Sequence, residues 1–329
     1  MKKIYVILVN YNTPYDTMEC VQSLLNQIYS NIQIIIIDNS ENVQSYDLIH
    51  KWTQNQFDII PTSSFFRDYL YPRKIKTISV SGSNELTKET NIIYHKTKNE
   101  GFAAACNEGI KIAETMNDYD YVWLLNNDAV VDKNSLLMLL NGFEKYKNNN
   151  VGVCGSKILF YDEPNIVQSL GRIQLSLFRL SHIAYEKQDI YYEDILVDEI
   201  SGASMLISKE YIDNVGLMPE EYFLYMEETD WNYSGKQKGY NFYSIASSKV
   251  YHKESLSTGG RFSYTNIYYN TRNKIHFLRK YSKNFYFLLL IFVIYKVKDI
   301  SKFLMKKEFN LAKGVCMGII NGIRKTYGR

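Results

Sequence analysis

Two short runs of β-branched residues, Ile4–Val9 and Ile32–Ile37, constrain this chain more than any other feature. Each is almost continuously apolar rather than alternating, and each stops abruptly in polar residues. Asn10-Tyr11-Asn12 follows the first and Asp38-Asn39-Ser40 the second. Between them Thr13-Pro14 opens a helical pattern with Met18, Val21, Leu24, Leu25 and Ile28 on one face. A strand that is apolar on both faces needs cover on both, so the pattern predicts a mostly parallel central sheet flanked by helices. In such sheets ligands sit outside the carboxyl ends of the strands. Asn10–Asn12 and Asp38–Ser40 are therefore candidate site segments.

The rhythm resumes at Ile92-Ile93-Tyr94, with a helix expected from Phe102 to about Met116 and a strand at Tyr121–Leu125. Asn126-Asn127-Asp128 closes that strand, a helix over about 134–146 follows, and Val151–Cys154 reads as a further strand. Residues 44–90, with Pro61, Pro72 and a Ser/Thr-rich stretch at Thr77–Thr87, read as an irregular insertion. Past Ser201, a small-residue turn at Gly202-Ala203-Ser204 feeds a strand. Glu220–Tyr225 leads into a helix that Gly239 ends, and Phe242–Ile245 and Val250–His252 read as strands.

Charge divides the chain. The net of +3 conceals a region, 266–329, with fourteen Lys and Arg against Asp299 and Glu308 alone, a net of +12, on a body of −9. Phe285–Tyr295 is an unbroken apolar run of eleven residues, short of the ~20 a bilayer span needs. Lysines at 296, 298 and 302 flank a continuing apolar stripe, which predicts a helix lying in a membrane interface. A nucleic-acid partner is not expected, because no recognition motif accompanies the basic residues. The basic-then-apolar start has no small-residue cleavage site and reads as a first buried strand rather than a leader. Four scattered cysteines without a C-x-x-C pair indicate neither a zinc site nor a disulfide framework.

Three segments carry candidate chemistry. A hydrophobic strand ending in Asn126-Asn127-Asp128 can present oxygen ligands to Mg²⁺ or Mn²⁺, or simply enter an Asn-rich turn. Glu227-Glu228-Thr229-Asp230 crowds three carboxylates into four residues. Mutual repulsion can raise one of them into the range of a general base, or the macrodipole can simply favour them at a helix start. His252 follows a strand and is a ligand candidate or a packed histidine.

In their joint order these segments resemble glycosyltransferase family 2, the inverting sugar transferases of GT-A fold, nearest to its rhamnosyltransferase- and galactofuranosyltransferase-like members. The resemblance runs over roughly residues 4–280. It takes in Val9-Asn10-Tyr11-Asn12, Asp38-Asn39-Ser40, Asn99-Glu100-Gly101-Phe102-Ala103-Ala104-Ala105 with Asn107, and Asn126-Asn127-Asp128. It continues through Gly202-Ala203-Ser204-Met205, the stretch from Glu221 to Trp231, His252, and Tyr269-x-x-Arg272-Asn273.

The charge asymmetry divides the chain at 265/266 into a body (1–265), which the resemblance implies is the catalytic domain, and a helical, membrane-associated extension (266–329). Within the first part, 1–128 would bind the nucleotide and 129–265 would hold the acceptor and catalytic groups. By position, Asp38 would read the nucleotide base, with Val9 and Asn10 lining the same pocket. Asn99 and Gly101 would lie beside the ribose and diphosphate, and Asn126 and Asn127 would also meet the donor. The family's Asp-x-Asp metal motif is degenerate here, leaving Asp128 as metal ligand with His252 as a second. Glu228 would be the catalytic base, with Glu227 and Asp230 as the other candidates. The expected cofactor is Mn²⁺ or Mg²⁺. The expected partners are a UDP-, dTDP- or GDP-linked sugar, a glycan or lipid-linked acceptor in bacterial cell-surface polysaccharide synthesis, and an anionic membrane surface on the cytoplasmic side. A sugar-phosphate nucleotidyltransferase and an inactive glycan-binding module are the rival readings. The first is disfavoured because Asn10-Tyr11-Asn12 stands where a Gly-rich, Arg-containing loop would be.

Overall fold

The computed structural model describes residues 1–41, 44–61, 63–72, 80–81, 92–177, 179–253 and 263–329. Its order begins β1 (Ile4–Asn10), α1 (Pro14–Leu25), β2 (Ile32–Asp38), α2 (Gln44–Thr53), α3 (Arg67–Leu70), β3 (Val80–Ser81) and β4 (Ile92–Lys96). There follow α4 (Phe102–Met116), β5 (Tyr121–Asn126), β6 (Ala129–Val131), α5 (Ser135–Lys145), β7 (Val151–Phe160) and β8 (Ile166–Ser169). A stretch of short strands comes next: β9 (Arg172–Ser176), β10 (Arg179–His182), β11 (Lys187–Gln188) and β12 (Ile195–Val197). The chain then forms β13 (Ser204–Ser208), α6 (Lys209–Val215), α7 (Glu227–Gln237) and β14 (Asn241–His252). It ends in α8 (Tyr264–Tyr281), α9 (Phe285–Met305) and α10 (Phe309–Ile323).

The main sheet runs β11-β8-β7-β13-β5-β1-β2-β4-β3, with β14 pairing β7, β6 and β12. Along β5-β1-β2-β4-β3 each pairing is parallel. β13 is antiparallel to both β5 and β7. The expected α/β architecture, with a mostly parallel central sheet flanked by helices, is present. Both faces are buried: Ile4, Val6, Leu8, Ile34 and Ile36 pack into one apolar layer, and Tyr5, Ile7, Ile35 and Ile37 into the other. That two-sided burial explains why these runs do not alternate in polarity.

Within 44–90, the described residues 44–61 and 63–72 are more regular than the sequence reading expected. Helix α2 places Ile49 and Trp52, three residues apart, in the core, and Phe66 and Leu70 are fully buried. The polar residues Asp47, His50 and Lys51 hid this period. Residues 73–79 and 82–91, with most of the Ser/Thr-rich stretch, lie outside the described residues. The two strands expected at 242–245 and 250–252 are one strand, β14, whose register shifts between Ile245 and Lys249. β7 likewise runs on past Cys154 to Phe160.

Helix α8, on the far side of the expected 265/266 division, is packed into the body, with Arg272, Asn273, Ile275 and Phe277 buried. α10 lies along it at glycine contacts: a Cβ on Gly318 would come within 2.8 Å of the Tyr268 carbonyl. α9 instead leaves Tyr286, Phe287, Leu290, Ile294 and Val297 mostly exposed. No helix among the described residues is long and apolar enough to cross a membrane.

Candidate active site

Register alone assembles the site's first wall. Parallel pairing sets Val9 opposite Asn126 and Asn10 opposite Asp38, so the polar ends of β1, β2 and β5 stand side by side at the carboxyl edge of the sheet. A cleft of about 550 Å³ opens there, lined among others by Val9, Tyr11, Asn39, Asn99 and Gly101. Asn10 and Asp38 lie beneath it and are fully buried.

The Asp38 carboxylate is heavily committed within the protein. It accepts from Asn10 Nδ2 at 2.8 Å, from the Ser40 amide at 3.0 Å, from Lys96 Nζ at 3.0 Å, and from the Ser40 and Tyr94 hydroxyls. Burial alone would raise this acid, but the donors outweigh it and hold Asp38 below the usual carboxylate range. In this arrangement Asp38 organises Asn10 and Ser40 under the cleft floor rather than facing into the cleft.

Gly101 closes the adjoining corner with φ +109° at the start of α4. An added Cβ would lie 2.3 Å from the carbonyl oxygen of Phe223, and that same oxygen accepts from the Phe102 amide at 2.9 Å. The backbone approach thus requires glycine. It also brings the α4 N-terminus, a favourable place for anions, to the cleft.

Asp128 and His252 meet although 124 positions separate them, because His252 at the end of β14 pairs with Ala129 of β6. His252 Nε2 is 3.2 Å from Asp128 Oδ1, and its Nδ1 is 2.8 Å from Gln168 Oε1. The amide oxygen can only accept, so Nδ1 carries a proton, and Nε2 faces Asp128 in the cleft. Asn126 Nδ2 lies 2.9 Å from that nitrogen. Burial pushes the Asp128 carboxyl up, but the protonated form of His252, with Lys253, more than reverses this, so it sits below its ordinary value. Once Nε2 gives up its proton, that nitrogen and the carboxylate converge across 3.2 Å with the other ring nitrogen pinned, which fits two ligands of a divalent cation. No cluster of three or more His, Cys, Asp or Glu suited to a metal occurs among the described residues. Further ligands would therefore come from phosphate and water. Asn127 has a different task, donating to the hydroxyls of Thr13 at 2.8 Å and Thr17 at 2.9 Å, which ties the metal-motif segment to α1.

The opposite wall is the start of α7. Phe223, Tyr225 and Met226 all have positive φ (64°, 66° and 79°), a costly conformation for such residues. Buried side chains of α8 hold it. Arg272 donates to the Tyr222 carbonyl at 2.8 Å, and Asn273 Nδ2 lies within 3.0 Å of the carbonyls of Tyr222, Leu224 and Tyr225. The three acids then part company. Glu228 lines the cleft beside Gly202, whose missing side chain leaves room above the carboxylate. Glu227 also borders the cleft but is buried, and desolvation together with the Glu228 charge pushes it up to about 8. Asp230 faces away into α8, bound by Tyr222 and Tyr281 at 2.6 Å each and by Lys280 at 2.9 Å. It is a structural anchor, not a cleft residue.

Sequence reasoning missed Arg172 and Glu199, which stand behind Glu228. They lie in a region of very short strands with no motif to mark them. It also gave no role to Tyr11, Thr265 or Arg329, which line the cleft.

With this geometry in place, the chain compares as follows. A family model described as glycosyl transferase family 2 matches residues 82–216. The minor teichoic acid biosynthesis protein GgaB of Bacillus subtilis is 26% identical over 145 residues, covering 44% of this chain and 12% of that protein. The low-salt glycan biosynthesis hexosyltransferase Agl10 of Haloferax volcanii is 20% identical over 272 residues, covering 82% of this chain and 73% of that protein. A crystal structure of GalNAc-T7 with UDP, GalNAc and Mn²⁺ superposes with a TM-score of 0.60 at 13% identity, over 87% of this chain and 49% of that one. The last likeness is one of fold, GT-A. The matched segment, the ordered motifs and the fold converge on one likeness: over residues 82–216 the chain is similar to glycosyltransferase family 2.

Proposed function

We propose that this protein transfers a hexosyl group from a nucleotide-sugar to a hydroxyl of a glycan or lipid-linked acceptor in cell-surface glycan synthesis, with inversion. The observation that carries the proposal is that the Asp128–His252 pair and the Glu228 carboxylate line one cleft at the carboxyl ends of β1 and β5. The names of two relatives, one in teichoic acid synthesis and one a glycan hexosyltransferase, support the acceptor class.

In this reading the nucleotide lies along Val9, Tyr11 and Asn39, over the floor that Asp38 and Asn10 organise. The diphosphate meets the α4 N-terminus next to Asn99 and Gly101. Asp128 and His252 would hold Mn²⁺ or Mg²⁺. The bound cation supplies positive charge that offsets the negative charge of the leaving diphosphate. Glu228 accepts the proton of the acceptor hydroxyl. The hydroxyl oxygen forms the new bond to the anomeric carbon, and the old anomeric C–O bond breaks with its electron pair going to the diphosphate. Phe223, Leu224 and Tyr225 line the same cleft and would limit water beside the bound donor.

A thermal-shift panel of UDP-, GDP- and dTDP-sugars tests the donor class. One nucleotide class should raise Tm in the presence of Mn²⁺ and do so much less after EDTA. No response to any of the three contradicts a donor site here.

The outer face of α9 is proposed as the membrane contact. Phe287, Leu290, Ile294 and Val297 follow one another at helical spacing and are exposed, with Lys298, Lys302 and Lys306 close by. Flotation with phosphatidylglycerol vesicles should carry the wild-type chain but not Leu290→Glu/Ile294→Glu, and equal flotation of both overturns the contact.

A further inference from the structure

The cluster behind Glu228 is unusual in what it buries. Arg172 opens β9 and Glu199 follows β12, and the two are joined by a pair of backbone hydrogen bonds: Arg172 N to Glu199 O at 3.0 Å and Glu199 N to Arg172 O at 3.1 Å. Their side chains form a close ion pair, and Arg172 Nη2 also reaches Glu228 Oε1 at 3.4 Å. Glu199 is 1% exposed, and Thr229 of α7 donates to it at 3.1 Å. Asn232 then ties this loop to α7, accepting from the Ile200 amide at 3.2 Å and donating to the Glu228 carbonyl at 2.6 Å. A buried guanidinium is costly unless its partners are fixed, and here both backbone and side chains fix them.

We propose that Arg172, held by Glu199, is a positioning residue of the transfer reaction: it orients the Glu228 carboxylate toward the cleft and sets a positive charge beside it. This rests on the reading of Glu228 as the base. Arg172 faces two carboxylates with one guanidinium. When Glu228 takes the acceptor proton, the guanidinium is left to Glu199 alone, so the protonated state does not strand a buried cation. When Glu228 returns its proton to solvent, the bridge re-forms. Glu199 is suited to this exchange. Burial pushes it up to about 7, opposed by Arg172 and assisted by the Glu228 charge, which makes it sensitive to whether Glu228 is charged. The other groups facing the pair are Glu227 on the same helix, Cys106 from α4 and Lys274 from α8. Lys274 is pushed down to about 8 by burial, although Glu199 draws it upward.

The test is the pH–rate profile of nucleoside diphosphate release with Mn²⁺. The probes are UDP-glucose, UDP-N-acetylglucosamine, GDP-mannose and dTDP-rhamnose, and the profile is taken on whichever the wild-type chain turns over. Arg172→Gln should lower the rate and move the acidic limb to higher pH by about one unit, since the loss of a cation near a carboxylate favours its protonation. Arg172→Lys should restore much of that shift while recovering less of the rate, because the charge returns without the planar fork. Glu199→Gln should move the limb the other way, by releasing the guanidinium to Glu228. A merely structural role would lower Tm in these variants and leave the limb in place, and that result overturns the proposal. Glu228→Gln separates the two readings. If it retains wild-type turnover, the base assignment fails. If it is inactive while Arg172→Gln and Glu199→Gln keep the wild-type profile, only the bridge fails.

Discussion

At the scale of single residues, the site depends on oxygen and nitrogen atoms whose other sides are already occupied. In the proposed metal site His252 is oriented by the hydrogen bond its Nδ1–H donates to Gln168 Oε1, and the Asp128 carboxyl is held below its ordinary value in a buried place by protonated His252 and by Lys253. Asp128→Ala is therefore expected to weaken Mn²⁺-supported binding of a nucleoside diphosphate by about tenfold or more, while binding measured in EDTA changes little. Isothermal titration with UDP, GDP and dTDP, with and without Mn²⁺, checks this, and equal affinities in wild type and variant would remove Asp128 from the metal site. Residue identity made Asp128, Glu228 and His252 visible in the sequence. Burial did not show there, which is why Asp38 and Asp230 read like site acids. One turns out to be saturated under the floor and the other bound into α8.

At the scale of elements, the cleft is held open by a costly loop and a glycine that fit each other. The loop at 222–226 keeps three non-glycine residues at positive φ, and α8 fixes its carbonyls. Gly101 lets α4 begin directly against the Phe223 carbonyl. Gly101→Ala places a methyl 2.3 Å from that oxygen and an L side chain at φ +109°. It should lower stability by ~1–3 kcal/mol and should lower turnover more than its effect on Tm implies, because the loop that launches Glu228 must shift. Urea denaturation beside a turnover assay measures both, and a fully stable, fully active variant would contradict the packing described. The helices and strands were legible wherever the apolar period was clean, as in α4 and β1. α2 was obscured by its charged outer face. The 172–200 region was opaque because strands of two to five residues leave too little periodicity to read.

At the scale of the whole molecule, the −9 body and the +12 region of 266–329 are not two separate pieces laid end to end. α8 belongs to the site, and the chain after α10 returns to it, with Arg272 donating to the Gly328 carbonyl at 2.6 Å and His276 bonded to the Thr326 carbonyl at 3.1 Å. His276 makes this return sensitive to pH. Burial first, then Arg272 and Arg279, push its imidazole from 6.5 down to about 4. The unfolded chain takes up the proton before the folded one does. The stability His276 contributes is therefore complete above pH 6.5 and is lost as pH falls from 6.5 toward 4. His276→Gln should flatten the fall in Tm over that window, and an unchanged slope would assign it to other groups.

The central claim is that Glu228 removes the acceptor proton within a donor site that other residues build. Single-turnover release of nucleoside diphosphate by Glu228→Gln, measured beside donor binding by the same variant, tests it most directly. The account predicts a rate lower by at least about a hundredfold with donor affinity within about twofold of wild type. Release at the wild-type rate would contradict it.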